Sequence, residues 1–260
     1  MLADGPRGSA DRPVGGPRHP GGPRTRGAPA VTALPDIDLV VFDVLGTMVD
    51  EPGGIKRGLR ELLPGIGDAE AEALVELWHR YVDEQQQEML AGRRPYADST
   101  VVDAEAAARV AAGFGIEDEE AVRSLASAAR RLDPWPDSVR ALGRLASRYP
   151  VVGLSNASHA ALTRISAHAG LRWHQVLSAE DAHGYKPHPD VYRLAIANAG
   201  CPPERLLMVA AHAWDLRGAQ ALGMRTAYVE RPVGDPPRTT DSFDLTAKNL
   251  DDLAIQLNAI

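Results

Sequence analysis

The apolar pattern opens at Leu39-Val40-Val41-Phe42, four consecutive hydrophobic residues that end abruptly on a carboxylate, Asp43. Gly46 and Thr47 follow at once. A short apolar run closed by turn residues predicts a strand over 38–44, buried on both faces as in parallel sheets. The texture then changes. Across residues 53–132 apolar positions recur every three or four residues. Ile55, Leu59, Leu62 and Leu63 share one face, and a long helix over 69–90 carries Leu74, Leu77, Trp78, Tyr81 and Val82. Two further helices are expected over 101–112 and 119–132. No strand-like run interrupts them, so the segment reads as a helical insertion.

Asp133-Pro134-Trp135-Pro136-Asp137 breaks the helical pattern as a stiff return linker. Beyond it strands and helices alternate. Strands are expected at 151–154, 175–177, 206–211 and 226–229. Helices are expected at 138–148, 159–168, 190–199, 216–222 and near 250–257. Repeated strand–helix units imply an α/β fold, a doubly wound parallel sheet with a Rossmann-like core. The expected division is a core of residues 36–52 and 133–260 and a small α-helical cap of residues 53–132.

Composition narrows the function classes. The formal net charge of −7 argues against nucleic acid or an anionic membrane as main partner. No apolar stretch approaches the ~20 residues of a membrane helix. The single cysteine, Cys201, permits no internal disulfide and suits a reducing, cytoplasmic setting. Residues 1–35 hold seven prolines and five arginines, which reads as a disordered tail. The chain has 25 arginines and only three lysines, Lys56, Lys186 and Lys248. A lysine kept in a loop of such a chain suggests that a compact amine is needed there.

In a parallel sheet ligands bind beyond the carboxyl ends of the strands. The loops at those ends carry Asp43, then Ser155-Asn156, then Lys186, then His212 and Asp215. All should share one crevice, with Asp43 placed for nucleophilic attack. Each has a plainer reading. Asp43 could end a turn, and Ser155, Asn156 or Asp215 could cap a helix. Lys186 could be a surface amine and His212 a satisfied core imidazole. Four loops agreeing outweigh those separate readings.

The strings Phe42-Asp43-Val44-Leu45-Gly46-Thr47, Leu154-Ser155-Asn156-Ala157-Ser158, Tyr185-Lys186-Pro187 and Ala213-Trp214-Asp215 with Gly218-Ala219 resemble the haloacid dehalogenase superfamily. The likeness is greatest to type II L-2-haloacid dehalogenases and runs from Asp36 onward. It implies that Asp43 is the nucleophile, oriented by Thr47, while Lys186 neutralises it. Ser155 and Asn156 would bind the substrate carboxylate. Tyr192 would support the lysine, and Asp215 would position the lysine or the hydrolytic water. Leu45 and Trp214 would complete the substrate-binding wall. A homodimer is also implied.

The resemblance implies departures too. The family usually has an aromatic at Leu45, and Ser and Asn at Ala210 and His212. His212 is therefore a candidate base for the hydrolytic water. The family's cap arginine directly follows a Trp, whereas Trp78 is followed by His79 and then Arg80. Either His79, when protonated, or Arg80, after a local shift, would replace it.

Phosphatase relatives carry a second Asp two positions after the nucleophile, where Leu45 stands, and an acidic pair whose first member aligns with Ala211. The expected activity is therefore hydrolysis of short 2-haloacids through an Asp43 ester, with no cofactor or metal. Two alternatives remain: an Mg²⁺-dependent phosphatase-like hydrolase, and a non-catalytic relative that binds a small acid.

Overall fold

The structure, a computed structural model, describes residues 36–259. The expected disordered tail, residues 1–35, lies outside the described residues. Among them, six strands form one parallel sheet: β1 (Leu39–Phe42), β2 (Val151–Ser155), β3 (Gln175–Ser178), β4 (Leu206–Ala210), β5 (Arg225–Val229) and β6 (Leu245–Ala247). Their order is β3-β2-β1-β4-β5-β6, which puts the Asp43 strand between β2 and β4. Val41 pairs with Val152 on one side and Met208 on the other.

Alternation along β1 divides its apolar residues between the two faces. Val40 and Phe42 pack under helices α5 (Ser138–Ala146), α6 (His159–Ala169) and α9 (Leu250–Gln256). Leu39 and Val41 face α7 (Pro189–Ala199) and α8 (Ala213–Gln220). Both faces are covered, which is why β1 and β4 read as unbroken hydrophobic runs.

The helical stretch between β1 and β2 forms α1 (Glu51–Leu62), α2 (Asp68–Leu90), α3 (Ser99–Ala112) and α4 (Glu119–Ala126). They have an apolar cluster of their own, centred on Ile55, Leu59, Trp78, Val110 and Leu125. Local chemistry sets their starts. The Asp50 side chain accepts from the Gly53 amide, with Pro52 in the first turn, and Asp98 accepts from the amides of Thr100 and Val101.

Three expectations need correcting. β6 was missed because it is only three residues long and buries one of them fully. The last inserted helix stops at Ala126 and continues as a 3₁₀ turn to Arg130, short of the expected 132. Helix α8 starts at Ala213, three residues before the expected 216, because His212 already takes the position before its first turn.

Candidate active site

Asp43 leaves the end of β1 with its backbone amide bonded to the Val209 carbonyl at 3.0 Å. Its carboxylate meets a different partner at each oxygen. Thr47 Oγ1 donates to Oδ2 at 2.7 Å, and Lys186 Nζ donates to Oδ1 at 3.0 Å. The Thr47 hydroxyl is itself fixed by the Ala211 amide at 2.9 Å, so its proton points at Asp43. Lys186 Nζ also donates to Asp215 Oδ2 at 2.7 Å, and Tyr192 Oη donates to Asp215 Oδ1 at 2.8 Å. The backbone amide of Lys186 is received by Asn156 Oδ1 at 2.8 Å. This chain of contacts is nearly sealed, with the Lys186 side chain 1% and that of Asp215 0% exposed. Burial works against the lysine's charge, but the carboxylates of Asp215 and Asp43 outweigh it and raise its pKa.

The loop after Asp43 is held by its carbonyls. His212 Nε2 lies 3.2 Å from the Leu45 oxygen, Trp135 Nε1 donates to Gly46 at 2.9 Å, and Arg231 Nε donates to Thr47 at 2.9 Å. Gly46 takes a positive φ of 75°, and a Cβ there would stand 2.7 Å from His212 Nε2. Only glycine suits both demands. Arg231 is in turn paired with Asp137 at 2.8 Å. Trp135, Asp137 and Arg231 had no signal in sequence, since their partners are backbone oxygens or lie far along the chain.

Above Asp43 is a cavity of about 400 Å³. Leu45, His212 and Trp214 line it from the sheet side, together with Ser155 and Asn156 beside the start of α6. His212 Nε2 is 3.9 Å from Asp43 Oδ2. The inserted helices supply the opposite wall, with Glu51, His79, Asp83, Gln86 and Asp103. His79, Asp83 and Gln86 form a polar stripe at helical spacing on α2, a signal that was legible in the sequence.

The sequence-derived set is thus brought together, with one correction. Arg80 does not enter the cavity. Helix α2 runs unbroken through this region, so neighbouring residues diverge by roughly 100° around its axis. His79 faces the cavity, and Arg80 is exposed along an outer groove with Glu76, Glu84 and Glu88. Nor do the plainer cap readings hold. Ser158, rather than Ser155 or Asn156, caps α6, and Asp215 sits inside the first turn of α8.

The sequence and the fold that carry this cluster have known counterparts. A model of the haloacid dehalogenase-like hydrolases matches residues 37–223. An (S)-2-haloacid dehalogenase of Pseudomonas putida is 30% identical over 203 residues, covering 76% of this chain and 87% of that protein. A crystal structure of an L-2-haloacid dehalogenase superposes with a TM-score of 0.78 at 30% identity, over 86% of this chain and 100% of the other. The Xanthobacter autotrophicus L-2-haloacid dehalogenase with chloropropionic acid covalently bound gives 0.74 at 28% identity, over 85% and 98%. The chain belongs to the haloacid dehalogenase-like hydrolases. Within that family its similarity runs to the (S)-2-haloacid dehalogenases.

Proposed function

We propose that this chain hydrolyses the carbon–halogen bond of short 2-haloacids, with Asp43 as nucleophile. The observation that carries the reading is the Asp43 carboxylate on the cavity floor, gripped by Thr47 and by the buried Lys186 ammonium. The Lys186 ammonium, 3.0 Å from Oδ1, sets a positive charge directly against the attacking group.

In the first step an Asp43 oxygen forms a bond to C2 as halide leaves with the bonding electrons, inverting the centre. Halide needs no proton. Water then adds to the Asp43 carbonyl carbon and the ester bond breaks, giving a 2-hydroxy acid and the free carboxylate. His212, 3.9 Å from Asp43 Oδ2 and donating from Nε2 to the Leu45 carbonyl at 3.2 Å, stands beside that water; one water proton goes to the departing hydroxyl oxygen and the other to solvent. Ser155 and Asn156 hold the substrate carboxylate beside the start of α6, where the helix dipole assists. Tyr192 and Asp215 position Lys186.

The proposed reaction uses no metal. Lys186 Nζ stands within 3.0 Å of both carboxylates and supplies the positive charge between them. The phosphatase reading is disfavoured because Leu45, where a general acid would stand, has no proton to donate. The helices between β1 and β2 act as the cap that closes over Asp43. The resemblance supports a homodimer, and the lone cysteine supports work in the cytoplasm. Among the described residues no helix is long and apolar enough to cross a membrane.

Halide release from L-2-chloropropionate, measured with chelator present, tests the reading. Release that disappears in Asp43→Asn is the expected result, whereas no release from folded protein would overturn it.

A further inference from the structure

The start of α3 is pinned against two core loops that carry site residues. Tyr185, fully buried and next to Lys186 in sequence, donates its hydroxyl proton to the Ala97 carbonyl at 2.8 Å. Two residues further on, the Ser158 amide donates to Ser99 Oγ at 2.9 Å, and Thr100 Oγ1 lies 2.8 Å from Ser158 Oγ. Asp98 fixes the same turn by accepting from the amides of Thr100 and Val101. Ser99 therefore has a set position, and that position is on the wall of the cavity above Asp43.

A hydroxyl carries one proton and two acceptor sites. Ser99 Oγ receives the Ser158 amide, and among the described residues its own proton goes to no acceptor. Ser155 Oγ is in the same condition, for it receives the Ala157 amide at 3.2 Å and donates to none of the described residues. Asn156 Oδ1 is taken by the Lys186 amide, while Nδ2 stands 3.5 Å from Gln86 Oε1, too long for a strong bond. Ser99, Ser155 and Asn156 all line the cavity, and the Ser158 contact sets Ser99 against the short stretch that carries the other two. Three side chains with protons to give thus share one wall. A carboxylate, with two oxygens and about four acceptor sites, can use all three.

We propose, resting on the dehalogenase reading, that Ser99 is a third carboxylate-binding residue, which the inserted helices add to the Ser155–Asn156 pair of the core. Its proton goes to a carboxylate oxygen of the 2-haloacid, and the Ser158 amide, by donating to Ser99 Oγ, strengthens it as a donor. The carboxylate site is then complete only with α3 in place. Ser99 acts on how tightly the acid is held rather than on the displacement at C2.

Ser99→Asp and Ser99→Asn, assayed on L-2-chloropropionate, test the assignment. Both side chains offer an oxygen to the Ser158 amide, so both keep the contact to α6, but only asparagine has protons to give. Ser99→Asp should raise KM roughly tenfold or more, through loss of a charge-assisted bond and repulsion of the substrate carboxylate, with kcat changed far less. Ser99→Asn should keep KM within a few-fold of wild type. Competitive inhibition by L-lactate should weaken in step with KM, since that product has the same carboxylate and no halogen. Where the aspartate variant does not fold, Ser99→Ala against Ser99→Thr makes the same comparison, a hydroxyl removed against one kept. Equal KM within either pair would overturn the assignment and leave the dehalogenase reading intact, with Ser99 a contact between helices and nothing more. Wild type that releases no halide would overturn both.

Discussion

Trp135 Nε1 donates to the Gly46 carbonyl at 2.9 Å, across 89 positions of sequence. The contact ties the return linker to the loop that carries the nucleophile, so the residues on either side of the helical insertion hold one another. Trp135→Phe keeps most of the ring and removes the donor. The loss of one such bond predicts a fall in kcat of roughly fivefold, corresponding to about 1 kcal/mol. Steady-state kinetics should show KM almost unchanged, since the substrate-binding groups are not touched.

Lys186→Met should abolish turnover, by roughly a thousandfold or more, because Asp43 and Asp215 would face each other across a sealed site with no cation between them. The wild-type protein should show the corresponding linkage. The folded-state pKa of Lys186 lies above its ordinary value of 10.5, so its contribution to stability is complete below that value. It is lost as pH rises through the higher folded value. Thermal melts between neutral and strongly alkaline pH should therefore fall more steeply for wild type than for Lys186→Met.

Asp103 predicts a loss in the same direction but in a lower pH window. Its pKa rises from 3.8 to about 8, mainly through desolvation and secondly through Glu51. The folded protein thus prefers the neutral acid, and stability is lost as pH climbs from about 4 to about 8. Asp103→Asn should melt at a higher temperature than wild type at pH 9, by a few degrees, and should lose that advantage at acid pH. A difference that ignores pH would sink this account.

Gly218 and Tyr192 share one space. A Cβ on Gly218 would lie 2.4 Å from the Tyr192 hydroxyl oxygen. Gly218→Ala should cost about 1–3 kcal/mol by overpacking. It should also reduce kcat, because Tyr192 must give up Asp215 to make room. Combining it with Tyr192→Phe, which removes the crowded hydroxyl, should recover part of the stability but not the rate.

Much of this was legible in the chain. Apolar runs buried on both sheet faces identify β1 and β4, and a parallel sheet brings their terminal loops to one edge. With the loops after β2 and β3 at the same edge, that assembled Asp43, Ser155, Asn156, Lys186, His212 and Asp215. The choice between His79 and Arg80 was not legible, since it depends on how α2 is rotated against the sheet. Trp135 and Arg231 were hidden for another reason: side chains that bind carbonyl oxygens leave no pattern in the partner's residue type. Asp103 carries no signal beyond a polar position on a helix, and packing places it at the cavity.

The Asp50 amide bonds to the Asp133 carbonyl at 2.8 Å, so the inserted helices depart and return at one point of the sheet. Topologically the whole insertion is a side branch on a chain that closes without it. A version in which a short turn joins Asp50 directly to Asp133 should still form the six-stranded sheet. Such a trimmed chain would expose Asp43 to bulk water, and would separate what the core contributes to chemistry from what the helices contribute to choosing a substrate. Conversely, the same two ends could accept a different helical block and redirect one nucleophile to a new molecule without altering its support.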